Sequence, residues 1–507
     1  MNTESRINNS IKNSIFGIIV QVSNVLLGFA TRTVFVKCLS TEYLGVNGLF
    51  TNILTMLSLA ELGVGSAIVY NMYKPISEND TVKIAKLMNL YRDAYRIIGC
   101  VVAVIGLCLV PFLDYIIKDQ PNIDGLTLIY ILFLGNTVSS YFFAYKRSIF
   151  SADQRERTLH KFKLLFYVIR SIGQIIILII FKNFILYLII QILCTIFENI
   201  SVAAFADIKY PFLKQYKKEY LNKDERKTIF NDIKALFIYK IGGTALDGTD
   251  NIILSAFVGV IWVGKLSNYT LITGSLSMLL NQITSSVTAS VGNFVAQEKS
   301  SEYEKLLNRV TFVNFVFYGL STVCMVTLIS PFITLWIGNE YLLDFSVAFV
   351  LGINFYIIGM MNSIWTFRST MGLFVHGKWR PLISAIINII VSIWWAKYLG
   401  LIGVLLGTTF TRLVTNVWYD PLVVYKYGLH KKPYKYYLKW ILYFAIMIID
   451  IFATEWISNM INVDGITELV VKFIISCAFF GLITVIIFRN SDEWHYLKDV
   501  IRRLLNR

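Results

Sequence analysis

Charge is scarce in this chain. Asp, Glu, Lys and Arg make up 16% of its 507 residues, where a soluble domain carries about 25%. Histidine is rarer, with four. His160, His376, His430 and His495 fall in unrelated loops or the tail, and no metal site can be built from them. The six cysteines, Cys38, Cys100, Cys108, Cys194, Cys324 and Cys477, lie along or beside apolar segments. None forms a Cys-x-x-Cys pair, and they read as small packing residues. The intervals between apolar stretches are too short for a catalytic domain. No nucleophile, metal or nucleotide motif is visible, so neither an enzymatic activity nor a cofactor is expected. Gly63-Val64-Gly65 is not a dinucleotide loop, because it lies within an apolar stretch.

What fills the chain instead is hydrophobic sequence, 56% of all residues. About fourteen apolar stretches of roughly 20 residues or more follow one another, each long enough as a helix to span ~30 Å of hydrocarbon. They read as 13–36, 45–70, 93–113, 126–148, 163–182, 184–206, 233–258, 264–295, 309–337, 342–367, 381–398, 401–425, 437–458 and 466–488. The fold class predicted is an all-α integral membrane protein. Met1–Lys12 is polar and the first apolar run continues to spanning length, so no cleavable signal peptide is expected.

The net charge of +15 is placed for a membrane and not for nucleic acid. Lys74, Lys83 and Lys86 follow the second span; Arg155, Arg157 and Lys161 follow the fourth. Lys209, Lys214, Lys217, Lys218, Lys223, Arg226 and Lys227 follow the sixth. Lys431, Lys432 and Lys435 follow the twelfth, and Arg502, Arg503 and Arg507 close the chain. Basic residues on alternate connections mark the cytoplasmic side, which puts both termini in the cytoplasm.

The chain repeats itself. Gly45 to Asn89 lies on Gly264 to Asn308 without a gap; Lys86-Leu87-Met88-Asn89 meets Lys305-Leu306-Leu307-Asn308, and one residue of slippage later Pro111-Phe112-Leu113 meets Pro331-Phe332-Ile333. The expected organisation is a six-helix bundle over 1–206, a basic linker over 207–232, a second six-helix bundle over 233–425, two further spans over 437–488 and a tail over 489–507. Parallel repeats of this kind place a binding cavity at the midplane between the halves. In the tail, Trp494, Leu497, Val500, Ile501, Leu504 and Leu505 share one helical face. Two readings stay open: an interfacial helix lying on membrane lipid, or a helix packed against the base of the bundle.

Ionisable residues within spans are the functional pointers in such a chain. Arg170 and Glu198 lie at similar depth on adjacent spans and are expected to form a structural ion pair; Asp450 and Lys472 are read the same way. Lys182 and Lys397, at span ends, can snorkel. The seventh span carries Lys240, Gly242-Gly243, Asp247, Asp250 and Asn251, a set expected to line the cavity on a helix that the two glycines allow to bend. Arg412 lies near the middle of the twelfth span and Arg32 in the outer third of the first. As guanidinium forks they suit phosphate oxygens; paired with Asp247, Asp250 or Glu61 they would be structural. Glu61 has Lys240 as a candidate partner and, with Arg170 and Glu198, is either a coupling or a structural group. Asn24, Asn52, Asn136, Asn281, Asn354, Asn362 and Asn388, with Gln21 and Gln282, add hydrogen-bonding capacity suited to a sugar.

The segment Arg32-Thr-Val-Phe-Val-Lys-Cys-Leu-Ser-Thr-Glu-Tyr-Leu-Gly45 and the segment Leu59-Ala60-Glu61-Leu62-Gly63-Val64-Gly65 resemble the first-helix arginine, the acid-Tyr-x-Gly entry to helix two and the acid-Leu-Gly pattern of the polysaccharide transporter family. That family comprises the O-antigen and capsule repeat-unit flippases of the multidrug/oligosaccharidyl-lipid/polysaccharide exporter superfamily. The resemblance implies alternating access in a bacterial inner membrane. Its implied cargo is an undecaprenyl-diphosphate-linked oligosaccharide; coupling to H+ or Na+ through Asp247, Asp250 or Glu61 stays open, as do other polysaccharide assembly proteins as partners. Of the family's cavity arginines it carries over only to Arg32. Three other readings stay open: a cation-coupled multidrug antiporter of the same superfamily, a membrane glycosyltransferase or polymerase, and a non-transporting assembly scaffold.

Overall fold

The computed structural model describes residues 3–61, 64–118, 121, 123–227, 229–230, 233, 248–297, 302–373, 376–377, 379–461 and 464–505. Among them there is no strand, and ten helical runs are long and apolar enough to cross a membrane. The protein is an all-α, multi-pass membrane protein, as its composition requires.

The helices are α1 (Thr3–Cys38), α2 (Thr41–Leu57), α3 (Val64–Glu78), α4 (Thr81–Leu109), α5 (Leu126–Ala144), α6 (Arg147–Ala152), α7 (Glu156–Phe181) and α8 (Phe184–Lys209). There follow α9 (Asp250–Phe257), α10 (Val260–Gln297), α11 (Tyr303–Asn314), α12 (Leu320–Ile337), α13 (Phe345–Thr370), α14 (Arg380–Arg412), α15 (Tyr434–Ile461), α16 (Ile466–Phe488) and α17 (Asp492–Leu505). They form two compact units, residues 1–264 and 265–507.

In the first unit α1 lies along α7, α7 and α8 form a hairpin, and α5 bridges α8 and α4. The hairpin turns at Lys182, in the left-handed region at φ 47°, and Asn183 caps α8 by accepting from the Leu186 N–H at 3.0 Å. The second span is not one helix. α2 ends in a 3-10 turn, Ser58–Glu61, where the Ser58 hydroxyl donates back to the Leu54 carbonyl at 2.8 Å. Gly45 and Gly264 meet at the crossing of α2 with the start of α10. A Cβ on Gly45 would stand 2.1 Å from the Val260 carbonyl oxygen, and one on Gly264 2.5 Å from that of Thr41. Each glycine thus faces the residue four positions before the other.

In the second unit α11 runs into α12 through a π turn, Phe315–Gly319. The run Arg380–Arg412 reverses at Gly400, whose φ of 60° and ψ of −133° suit glycine alone. The two arms are antiparallel: Asn388 donates to the Thr408 hydroxyl at 2.9 Å and Ser392 to the Val404 carbonyl at 3.3 Å. Spans eleven and twelve are therefore a hairpin, as their predicted boundary implied. α15 and α16 pack on α12, with the Phe315 and Tyr443 rings stacked at 4.5 Å. The first turns of α17 pack against the bundle: Asp492 pairs with Arg309 at 3.0 Å, Glu493 pairs with Lys439, Trp494 meets the Phe312 ring edge-on at 6.4 Å and Leu497 is buried. Outward-facing aliphatic residues such as Ile176, Ile179 and Ile180 of α7 and Ile474, Leu482 and Ile486 of α16 form the apolar surface that lipid requires.

Candidate functional site in the first unit

Three helices of the first unit bring polar side chains into its interior. α7 presents Tyr167, Arg170 and Gln174 on one stripe, at helical spacings of three and four. The Tyr167 hydroxyl donates to the Asn24 carbonyl of α1 at 3.2 Å, beside Gly28, where a Cβ would stand 3.5 Å from that hydroxyl. The Arg170 guanidinium lies over the Tyr167 ring, 4.7 Å from its centre, a cation–π contact. Gln174, almost fully buried, donates to the Tyr187 carbonyl and the Gln191 side chain of α8, each at 3.4 Å. Tyr187 interacts electrostatically with Arg32 of α1 and Arg170 of α7, and its ring is held edge-on by Phe35 at 5.5 Å. Two guanidinium groups, two phenols and two amides thus share one three-helix seam.

This arrangement corrects the expected Arg170–Glu198 ion pair. Glu198 is bonded to Arg147, which also donates to Asn199 at 3.1 Å. Arg170 lies over the Tyr167 ring and interacts with Tyr187, so equal depth does not bring it onto Glu198. Glu61 is likewise taken. It accepts from the Tyr95 hydroxyl, which in turn accepts from Tyr91 at 2.8 Å, and Tyr141 also bonds it. Lys240, its candidate partner, lies outside the described residues, as do Gly242, Gly243 and Asp247. Asp250 and Asn251 form the first turn of α9, which packs on α2.

In the second unit Arg412 is buried and donates to the Asn354 side-chain oxygen of α13 at 3.0 Å. Asn354 in turn donates to the Thr409 hydroxyl at 2.9 Å. The acid nearest to it in sequence, Asp420, is fully buried and committed elsewhere: Arg368 pairs with it at 2.5 Å, Arg380 at 3.2 Å, and the Trp365 indole donates at 2.9 Å. With a little further slippage the repeat lays Arg147 on Arg368 and Glu198 on Asp420. Each ion pair then joins the end of one predicted span to the second span after it. Sequence reading placed Arg147 at a span end and did not match the two pairs; the near-equal spacings, 51 and 52 residues, were the available signal. The Asp450–Lys472 pair expected on α15 and α16 is not made either. Lys472 lies 3.2 Å from Glu455 and 3.2 Å from Glu468.

No family model and no curated protein matches this chain in sequence. Solved structures match it in fold, and they define a class: membrane transporters with a shared helical architecture. The structure titled "Lipid II flippase MurJ, inward closed conformation" superposes with a TM-score of 0.69 at 14% identity, over 95% of this chain and 99% of that one. An inward-facing multidrug resistance MATE family transporter of the MOP superfamily gives 0.59 at 15% identity, over 82% and 99%. A point mutant of the Vibrio cholerae MATE transporter VcmN gives 0.57 at 13% identity, over 84% and 99%. The chain has the fold these transporters share.

Proposed function

We propose that the protein is a flippase. It carries an undecaprenyl-diphosphate-linked oligosaccharide repeat unit from the cytoplasmic to the outer leaflet of a bacterial inner membrane, by alternating access, for surface polysaccharide synthesis. The observation that carries this reading is the pairing of Arg32 and Arg170 about Tyr187. Among the described carboxylates of the same unit, Glu61 is bonded by Tyr95 and Glu198 by Arg147. An electropositive interior selects an anion, and guanidinium forks match phosphate oxygens in geometry. Tyr187, Gln174 and Gln191 add donors and acceptors for the attached sugars. Arg412, Lys240, Asp247, Asp250 and Asn251 remain proposed contacts of the same cargo. The positive-inside bias supports cytoplasmic termini, and H+ or Na+ coupling would act through the carboxylates.

Arg32→Ala and Arg170→Ala should each lower surface polysaccharide at least tenfold in cells that depend on the protein, with normal amounts of folded protein in the membrane. Lysine at either position should restore only part of the loss, because an ammonium cannot form the fork. Full export by both alanine variants would remove the anion-binding assignment. The likeness to MATE transporters favours a second reading, a cation-coupled drug antiporter. Proton-driven efflux of organic cations by the purified protein, indifferent to both arginines, would establish that reading instead.

A further inference from the structure

Asp450 sits at the seam where α15 packs on α12 and α16, far along the chain from the arginine seam. It is fully buried. Thr454, one turn on, donates to its Oδ1 at 3.3 Å, and Oδ2 has no hydrogen-bond partner. The cation expected to neutralise it, Lys472 of α16, is held by Glu455 and Glu468. Among the described residues no cation forms an ion pair with Asp450. Cys324 of α12 is in electrostatic contact with Asp450 and is hydrogen-bonded with Cys477 of α16. Tyr318, in the π turn, bonds with Asn281 and Asn362. The seam also holds the hydroxyls of Thr327 and Ser476, 3.3 Å from each other. An ionised carboxylate has no compensation in such a place, and burying an uncompensated charge is far more costly than burying the neutral acid.

We propose that Asp450 is an intramembrane proton-binding site. In the packed state it is the carboxylic acid, its proton taken from water, and giving up that proton loosens α15 from α12 and α16. The inference rests on burial and bonding within the second unit and not on the cargo, so it stands or falls separately from the flippase reading.

The test is infrared difference spectroscopy of the full-length protein in lipid nanodiscs, in H2O and D2O. A protonated-carboxyl carbonyl band is expected at neutral pH, shifted by deuterium and absent in Asp450→Asn. Thr454→Val removes the single hydrogen bond to Oδ1. It should move that band to higher frequency without abolishing it, and it decides the matter should Asp450→Asn fail to fold. Raising the pH until the band disappears should increase maleimide labelling of Cys324 and Cys477 several-fold in the wild type. A neutral-pH spectrum in which neither variant alters a carboxyl band would overturn the proposal. So would an ionised carboxylate band assigned to Asp450 that responds to sodium and not to choline.

Discussion

Asp420 is fully buried, yet it is not alone: Arg368, Arg380 and the Trp365 indole all converge on it. Such a group is stable only while its partners remain. Removing one partner of a buried pair typically costs about 3–5 kcal/mol, because the survivor is left charged in a poor solvent. Arg368→Ala should therefore destabilise the detergent-solubilised protein by about that much, less what Arg380 retains. Adding Asp420→Asn should recover most of the loss. At the equivalent Arg147–Glu198 pair the side chains are 33% and 18% exposed, so Arg147→Ala should cost less, on the order of 1.5–3 kcal/mol for a charged hydrogen bond. Thermal unfolding of these variants checks the order, and an Arg147→Ala loss equal to that of Arg368→Ala would contradict the burial argument. The same residues show where sequence reading stops. Hydropathy and a 1.5 Å rise per residue give the depth of a side chain, and depth alone made Arg170 a partner for Glu198 and Lys472 a partner for Asp450. Rotation about the helix axis decides the contact, and that is set by which face packs, which apolar spans disclose poorly because they are hydrophobic all round.

At the scale of elements the apolar runs were legible because lipid tolerates nothing else, and the tight turns were legible where glycine marks them, as at Gly400. The break of the second span at Ser58–Glu61 was not, since no proline or charge run announces it. The tail was legible as an amphipathic helix, but its two placements could not be separated, because lipid and a bundle base want the same apolar face. Its charged end distinguishes them. The hydrogen bonds from Arg309, helped by its charge and by Lys305, hold the Asp492 carboxyl below its ordinary range. A carboxyl depressed in the docked state favours docking at all pH above its free value, about 3.9. That contribution is lost as the pH falls through the docked value. A spin label at Lys498→Cys should therefore stay restricted at neutral pH and gain mobility only in acid, below about pH 4. Asp492→Asn should show a comparable, partial gain in mobility at neutral pH. The exposed pair contributes modestly, so partial release is the expected reading; an unchanged spectrum in both conditions would leave the apolar contacts of Trp494 and Leu497 as the whole of the docking.

For the molecule as a whole, the proposed cargo makes an energetic commitment that a drug antiporter does not share. A diphosphate is anionic, and an inside-negative potential favours moving negative charge outward by about 2.3 kcal/mol per charge per 100 mV. At 1.4 kcal/mol per tenfold, that is about fifty-fold in the final leaflet ratio for each charge that crosses uncompensated. Arginines in the seam keep their own charge on the protein, so they bind the phosphates without cancelling the charge that the cargo carries across. In proteoliposomes with an imposed potassium diffusion potential, the steady distribution of a fluorescent undecaprenyl-diphosphate oligosaccharide should shift toward the positive side, and reversing the potential should reverse the shift. Co-transport of one proton per charge would abolish the dependence on potential and replace it with a dependence on pH difference. An organic-cation antiporter would give no net movement of the lipid under either gradient. The sign of the shift thus tests the charge of what moves, and its size tests how much of that charge moves alone.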